Sequence, residues 1–216
     1  MIKAIIFDMD GTLIDSEPFY QNVTLKCMQE HHIPVYAEDL LPLAGANSHQ
    51  FSDFINPRIE GYLTREAFDK WHDKYFEENP IDFKKLLFHH VHETLSLLKE
   101  KSYRLVLASS SKKWEIEKVL NQCKLTDYFE FFLSGDMFKE SKPNPEIYLV
   151  CIQKLGLSAK ECIAIEDSEY GIAAAKGANL TCIAKKDSRF GFDQSSADYE
   201  VNDLLEIINI LKEIKS

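Results

Sequence analysis

The sequence predicts an α/β fold, a doubly wound parallel sheet interrupted after its first strand by an all-helical insert. Three observations lead there. Through the second half of the chain, short and almost continuously apolar runs alternate with longer segments of helical periodicity. That is the pattern of strands covered on both faces and joined by right-handed helical crossovers. From about residue 17 to 80 the strand pattern vanishes and helical periodicity replaces it. Finally, oxygen-rich polar clusters follow the apolar runs directly, and a doubly wound sheet gathers its ligands beyond the carboxyl ends of its strands.

Taken in order, residues 3–7 open the sheet. The insert takes residues 17–81, with helices expected over 23–32 and 65–78, because an unstructured loop of that length is improbable in a compact domain. Pro18 and Pro80 are expected to mark its hinges. The sheet domain then comprises residues 1–16 and 82–216. It continues as helix 90–101, strand 104–108, helix 112–123, strand 130–133, helix 146–155, strand 162–165, helix 171–177 and strand 180–184. Residues 203–214 place Leu204, Leu205, Ile207, Ile208, Ile210, Leu211 and Ile214 at helical spacing and close the chain as an amphipathic helix. Phe51, Phe54, Tyr62, Phe68, Trp71, His72, Tyr75 and Phe76 are expected mainly in the core of the insert, with one or two left to line a substrate pocket.

Composition narrows the function. Across 216 residues, 35 acidic against 25 basic side chains leave a formal charge of −10, the wrong sign for neutralising nucleic-acid phosphates. Residues 17–82 hold 12 acidic and 5 basic side chains, so most of the excess belongs to the insert. Cys27, Cys123, Cys151, Cys162 and Cys182 are odd in number and far apart, which suggests neither a disulfide framework nor a zinc site. Cys162 and Cys182 sit in strand-like runs and are expected as core filler. The N-terminal apolar run is too short for a signal peptide, so a soluble, cytoplasmic protein without a membrane partner is expected. His31-His32 and His89-His90-Val91-His92 are read as solvated helix ends, because neighbours on a helix point apart.

Four clusters carry chemistry. Asp8-Met9-Asp10-Gly11-Thr12 puts two carboxylates, then a glycine able to turn sharply, at the end of the first strand. Two crowded acids repel unless they share a cation or a proton. Ser109-Ser110-Ser111-Lys112 places hydroxyls and amides at a helix N-terminus, a natural anion seat. Lys142-Pro143-Asn144-Pro145 offers one ammonium just before a helix, and Glu166-Asp167-Ser168 adds hard oxygen donors of the kind magnesium prefers. Each taken singly has a local explanation as a turn, a cap or a solvated charge. Four of them at strand ends on one edge of a sheet describe a site.

In these motifs the chain resembles the haloacid dehalogenase (HAD) superfamily, in the branch with a helical cap after the first strand that includes small-molecule phosphatases and β-phosphoglucomutase. The resemblance covers essentially the whole chain: Asp8 to Thr12 is similar to the first family motif, Ser109 to the second, Lys142 to the third and Glu166-Asp167 to the fourth. It implies a Rossmann-like core, with Asp8 as the nucleophile that forms an aspartyl-phosphate and Asp10 as general acid and base. Mg²⁺ would be held by Asp8, the backbone carbonyl of Asp10, Asp167 and Glu166, the last directly or through water. Ser109, Ser110 and Lys142 would bind the phosphoryl group, while Gly171, Ala173, Ala174 and Ala175 would let their helix approach the sheet. Asn47 and His49 are candidate substrate contacts in the cap, which is expected to open and close over the site.

A phosphatase acting as a monomer on a small phosphorylated metabolite is the reading favoured over two others. The phosphosugar mutases of the family would show an arginine where this chain has Ser48 and a histidine where it has Tyr20, and Thr12 is more usual in the hydrolases. Dehalogenases of the family lack the second aspartate. A non-catalytic phosphate-binding regulator is the third reading, although no motif position is replaced.

Overall fold

Isoleucine and phenylalanine in an unbroken run form β1 (Ala4–Phe7), with every residue buried. The chain next makes α1 (Glu17–Glu30), a 3₁₀ turn at Ala37–Leu43, α2 (Ser48–Ile59) and α3 (Arg65–Glu78), and returns through a second 3₁₀ turn at Phe83–Lys85. There follow α4 (Val91–Glu100), β2 (Arg104–Ser109), α5 (Lys113–Gln122), β3 (Phe132–Ser134), α6 (Glu146–Leu155), β4 (Cys162–Glu166), α7 (Glu169–Gly177), β5 (Thr181–Lys185), β6 (Tyr199–Val201) and α8 (Ile207–Glu213). This computed structural model describes residues 1–46 and 48–214. Two compact units emerge, Met1–Asp15 with Phe83–Ser216, and Ser16–Asp82.

In the sheet unit, strands of the described residues pair in the order β3-β2-β1-β4-β5-β6, every pair parallel. Parallel neighbours need crossovers, and the intervening helices supply them. Successive connections run outward from β1 to β2 and β3, then return across it to β4, so the order reverses at β1 and opens a crevice at its carboxyl end. Register fixes what meets there: Phe7 lies opposite Leu107 on one side and Ile165 on the other. Ala4, Ile6, Val106, Ala108, Cys162, Ala164 and Cys182 face one layer, where Tyr148, Cys151 and Leu155 of α6 and Ala174 and Ala175 of α7 cover them. Ala173 points outward instead, so three rather than four of the expected small residues face the sheet.

The helical unit has its own core of Cys27, Met28, Ile33, Val35, Leu40, Leu43, Ile55, Ile59 and Phe68. Of the aromatic residues expected there, Phe68 alone is fully buried. Phe51, Phe54, Trp71, His72, Tyr75 and Phe76 are half-buried, and Tyr62 is exposed. Aliphatic and sulfur-bearing side chains fill the interior, and the rings pack on one another along α1 and α3, Trp71 on Tyr75 at 5.1 Å and Tyr20 against Phe76 at 6.2 Å.

Other expectations shift for local reasons. Helix α1 starts at Glu17, six residues earlier than its periodicity suggests, because Pro18 sits in the first turn, where its missing N–H costs nothing. Pro18 therefore begins a helix. Ser168 caps α7 by accepting from Gly171 N at 3.1 Å, which moves that helix start to Glu169. The closing helix is broken: Asp203 accepts from Leu205 N at 2.8 Å and starts a 3₁₀ turn, Leu204–Glu206, ahead of α8. Cys162 and Cys182 are fully buried as expected. No helix of the described residues is long and apolar enough to cross a membrane.

Candidate active site

The acids are placed by two strands and two glycines. Asp8 stays in register with β4, its N–H donating to Ile165 O at 2.9 Å, and the chain then turns at Gly11 with φ +76°. A Cβ at Gly11 would lie 2.0 Å from Asp167 Oδ2. Across the crevice, Glu166 ends β4, and a Cβ at Gly171 would lie 1.9 Å from Glu166 Oε2. Both glycines thus reserve room for a carboxylate. For Gly171 this adds to helix-to-sheet approach a second reason for its size.

Lys142 reaches the crevice from the segment before α6. Its Nζ donates to Asp8 Oδ1 at 2.6 Å, Glu166 Oε1 at 2.6 Å and Ala108 O at 2.9 Å, so three N–H groups meet three acceptors. This ammonium is shared by Asp8 and Glu166, not by the Asp8 and Asp10 pair of the first motif, whose second member is bonded to Ser111 and Ser109 instead. Burial pulls the Lys142 pKa down, but Asp8 and Glu166 outweigh it and hold the ammonium above its ordinary value. Burial pushes the Asp8 carboxyl well above the usual range; Lys142 opposes this, and Glu166 and Asp10 add to it. One lysine therefore leaves the cluster short of positive charge. Ligand oxygens of Asp8, Glu166 and Asp167, all buried, lie within 4.8 Å of one another. Hard donors so close, with charge to spare, suit a divalent cation.

Asp10 faces the serine cluster. Its Oδ2 accepts from Ser111 Oγ at 2.6 Å and Ser109 Oγ at 3.4 Å, and Ser111 N donates to Ser109 Oγ at 3.0 Å. Ser109 is buried and Ser110 exposed, with Ser141 Oγ donating to Ser110 Oγ at 3.1 Å. Asp8, Glu166, Asp167 and Lys142 thus gather in one cluster, while Asp10, Ser109 and Ser111 form a second constellation. Asn47 lies outside the described residues. His49 is on α2 in the helical unit, its Nδ1 2.9 Å from Asp53 Oδ2, with both side chains largely exposed.

Two participants escape a reading by motif. Ser111 makes the shorter of the two bonds to Asp10, and Tyr148 donates its hydroxyl to Glu166 Oε1 at 2.5 Å. The available signal for Tyr148 is a phenol on the apolar face of a helix, which needs a buried partner. Glu166 is correspondingly committed to protein donors, with Lys142 and Tyr148 on Oε1 and Asp167 N 3.3 Å from Oε2.

Known proteins share this arrangement of chain. The family described as haloacid dehalogenase-like hydrolase matches residues 5–185. The phosphorylated carbohydrates phosphatase of Thermotoga maritima is 30% identical over 99% of this chain and 100% of its own. Hexitol phosphatase B of Escherichia coli is 31% identical over 95% of this chain and 94% of its own. Among solved structures, a β-phosphoglucomutase from Clostridium difficile aligns with a TM-score of 0.80 over 99% of this chain and 97% of that one; at 23% identity it speaks for the fold alone.

Proposed function

The chain belongs to the haloacid dehalogenase-like hydrolases, and we propose that it hydrolyses a small phosphorylated carbohydrate, a sugar or sugar-alcohol monophosphate, through an aspartyl-phosphate on Asp8. The observation that carries this reading is the buried Asp8 carboxylate tied through Oδ1 to Lys142, at the crevice where the strand order reverses. The substrate class follows the two phosphatases to which the chain is similar along nearly its whole length.

In the first step a carboxylate oxygen of Asp8 forms a bond to phosphorus as the ester P–O bond breaks. Asp10 delivers its proton to the departing alcohol oxygen. In the second, water attacks the same phosphorus, its proton passes to Asp10, and the acyl-phosphate bond breaks to free Asp8 and phosphate. Ser111 and Ser109 aim the Asp10 carboxyl through their hydroxyls. Lys142 offsets the repulsion between Asp8 and an anionic substrate, and Ser109 and Ser110 hold phosphoryl oxygens, the Ser109 hydroxyl turning from its long bond to Asp10 while Ser111 keeps the short one. The acid cluster fits Mg²⁺, which Asp8, Asp167 and the Asp10 carbonyl would hold, with Glu166 left to act through water because its oxygens already meet protein donors. When bound, the ion neutralises phosphoryl charge.

Phosphate release, measured with Mg²⁺ over a panel of hexitol phosphates, sugar phosphates, phosphoglycolate and nucleotides, tests the reading. Turnover is expected to be fastest on a hexitol or sugar phosphate, to stop with EDTA, and to fall about a thousandfold or more in Asp8→Asn. No turnover across the panel would leave a non-catalytic binder. With β-glucose 1-phosphate and a trace of its 1,6-bisphosphate, glucose 6-phosphate accumulating faster than free phosphate would make the enzyme a mutase.

A further inference from the structure

We propose that Tyr148 is a positioning residue for the reaction at Asp8: its hydroxyl pins Glu166, which in turn fixes Lys142 against the nucleophile. The inference rests on the reading of Asp8 given above. Tyr148 is fully buried on α6, among Ile147, Cys151 and Leu155. Its ring would serve that core equally well as phenylalanine, whereas a buried hydroxyl is costly unless it has a partner. The partner is Glu166 Oε1 at 2.5 Å, the same oxygen that receives Lys142 Nζ at 2.6 Å. The ring also lies beneath that ammonium, 5.1 Å from Nζ to the ring centre.

The consequence reaches the nucleophile in three links. With Oε1 held by two donors and Oε2 confined beside Gly171, the Glu166 carboxylate has one orientation. Lys142 then keeps its three acceptors, one of which is Asp8 Oδ1. Fixing Oδ1 fixes the Asp8 carboxylate plane, so the other oxygen makes the new bond to phosphorus from a constant direction. Small misplacements of a reacting group cost rate steeply. Without the hydroxyl, Glu166 keeps a single donor on Oε1 and the carboxylate can turn, loosening Lys142 and Asp8 together.

Tyr148→Phe removes the oxygen and preserves the ring. The expected result is a kcat lower by about tenfold with KM changed by less than about twofold, since Lys142 keeps its charge beside Asp8 and the serines that hold the phosphoryl group are untouched. Leu155→Ala, a cavity variant on the same helix, controls for stability: it should lower Tm by more than Tyr148→Phe does, yet keep kcat. A reading independent of turnover comes from the Lys142 ammonium in ¹⁵N NMR, expected to exchange slowly with solvent in the parent and several-fold faster in Tyr148→Phe. An unchanged kcat together with an unchanged ammonium signal would overturn the proposal, as would an equal loss of kcat in Leu155→Ala. If the parent shows no phosphatase activity but the ammonium responds as expected, the proposed function fails and the hold of Tyr148 on Lys142 stands.

Discussion

At the scale of single residues, the acid cluster depends as much on what is missing as on what is present. Gly171→Ala would drive a methyl group to 1.9 Å from Glu166 Oε2, and Gly11→Ala would do the same against Asp167 while occupying a positive φ. Gly171→Ala should therefore cost about 1–3 kcal/mol in urea denaturation, with phosphatase activity lost in parallel. A fully active, undiminished variant would show that Glu166 has room to move. The acids and the serines were legible because each is a polar residue that follows an apolar run, and strand ends of a doubly wound sheet converge; Lys142 was legible from its place ahead of two prolines and a helix start. The bond from Ser111 to Asp10 spans 101 positions, and that from Tyr148 to Glu166 joins two elements with no shared motif. Spacing along the chain holds no trace of either.

Among elements, β1, β2, β4 and β5 were legible because burial on both faces makes their sequences continuously apolar. Strand β6 is three residues with an exposed glutamate at its centre, too short to show a pattern. Helix α2 carries Phe51, Phe54, Ile55 and Ile59 at helical spacing, but Pro57 in its last turn hides it from a reading of the sequence as a helix. Helix α3 was found at its true bounds, and Thr64 explains its start by accepting from Ala67 N at 3.2 Å. Thr64→Ala should destabilise the protein by about 1 kcal/mol in thermal or urea unfolding.

The junction of α4 with the chain end adds a pH dependence. His90 Nδ1 lies 2.8 Å from Asp203 Oδ2, and this hydrogen bond, then the charge of Asp203, raises the His90 pKa above its ordinary 6.5. A raised value means stabilisation that is complete below 6.5 and fades as pH climbs through the folded value. NMR titration should place His90 above 6.5, and Asp203→Asn should return it there. An unshifted His90 in the parent would remove this pairing from the account.

At the scale of the whole molecule, the two chain ends of the sheet unit between which the helical segment is inserted are tied to each other. Asp15 N donates to Leu86 O at 2.7 Å, Phe88 N donates to Leu13 O at 3.0 Å, and Ile14 bridges antiparallel to Leu87. Arg189 grips Asp15 with both terminal nitrogens, at 2.9 and 2.7 Å. With its exits side by side, the sheet unit needs little chain to close, because short loops carry a small entropic cost. Replacing residues 16–82 by a Gly-Ser linker of about four residues should leave a protein with α/β circular dichroism and one cooperative unfolding transition. A molten product would mean that the sheet core depends on the insert. The thiols bear on the same division. All five cysteines are buried and unbridged, and burial pushes Cys27 and Cys151 up to about 12 and Cys162 to about 11. A neutral, hidden thiol is inert to alkylating reagents until its surroundings open. Cys27 belongs to the helical unit and the other four to the sheet unit, so the chain carries its own stopwatches. The rate at which each sulfur is tagged would time the breathing of its half of the molecule, with no probe added.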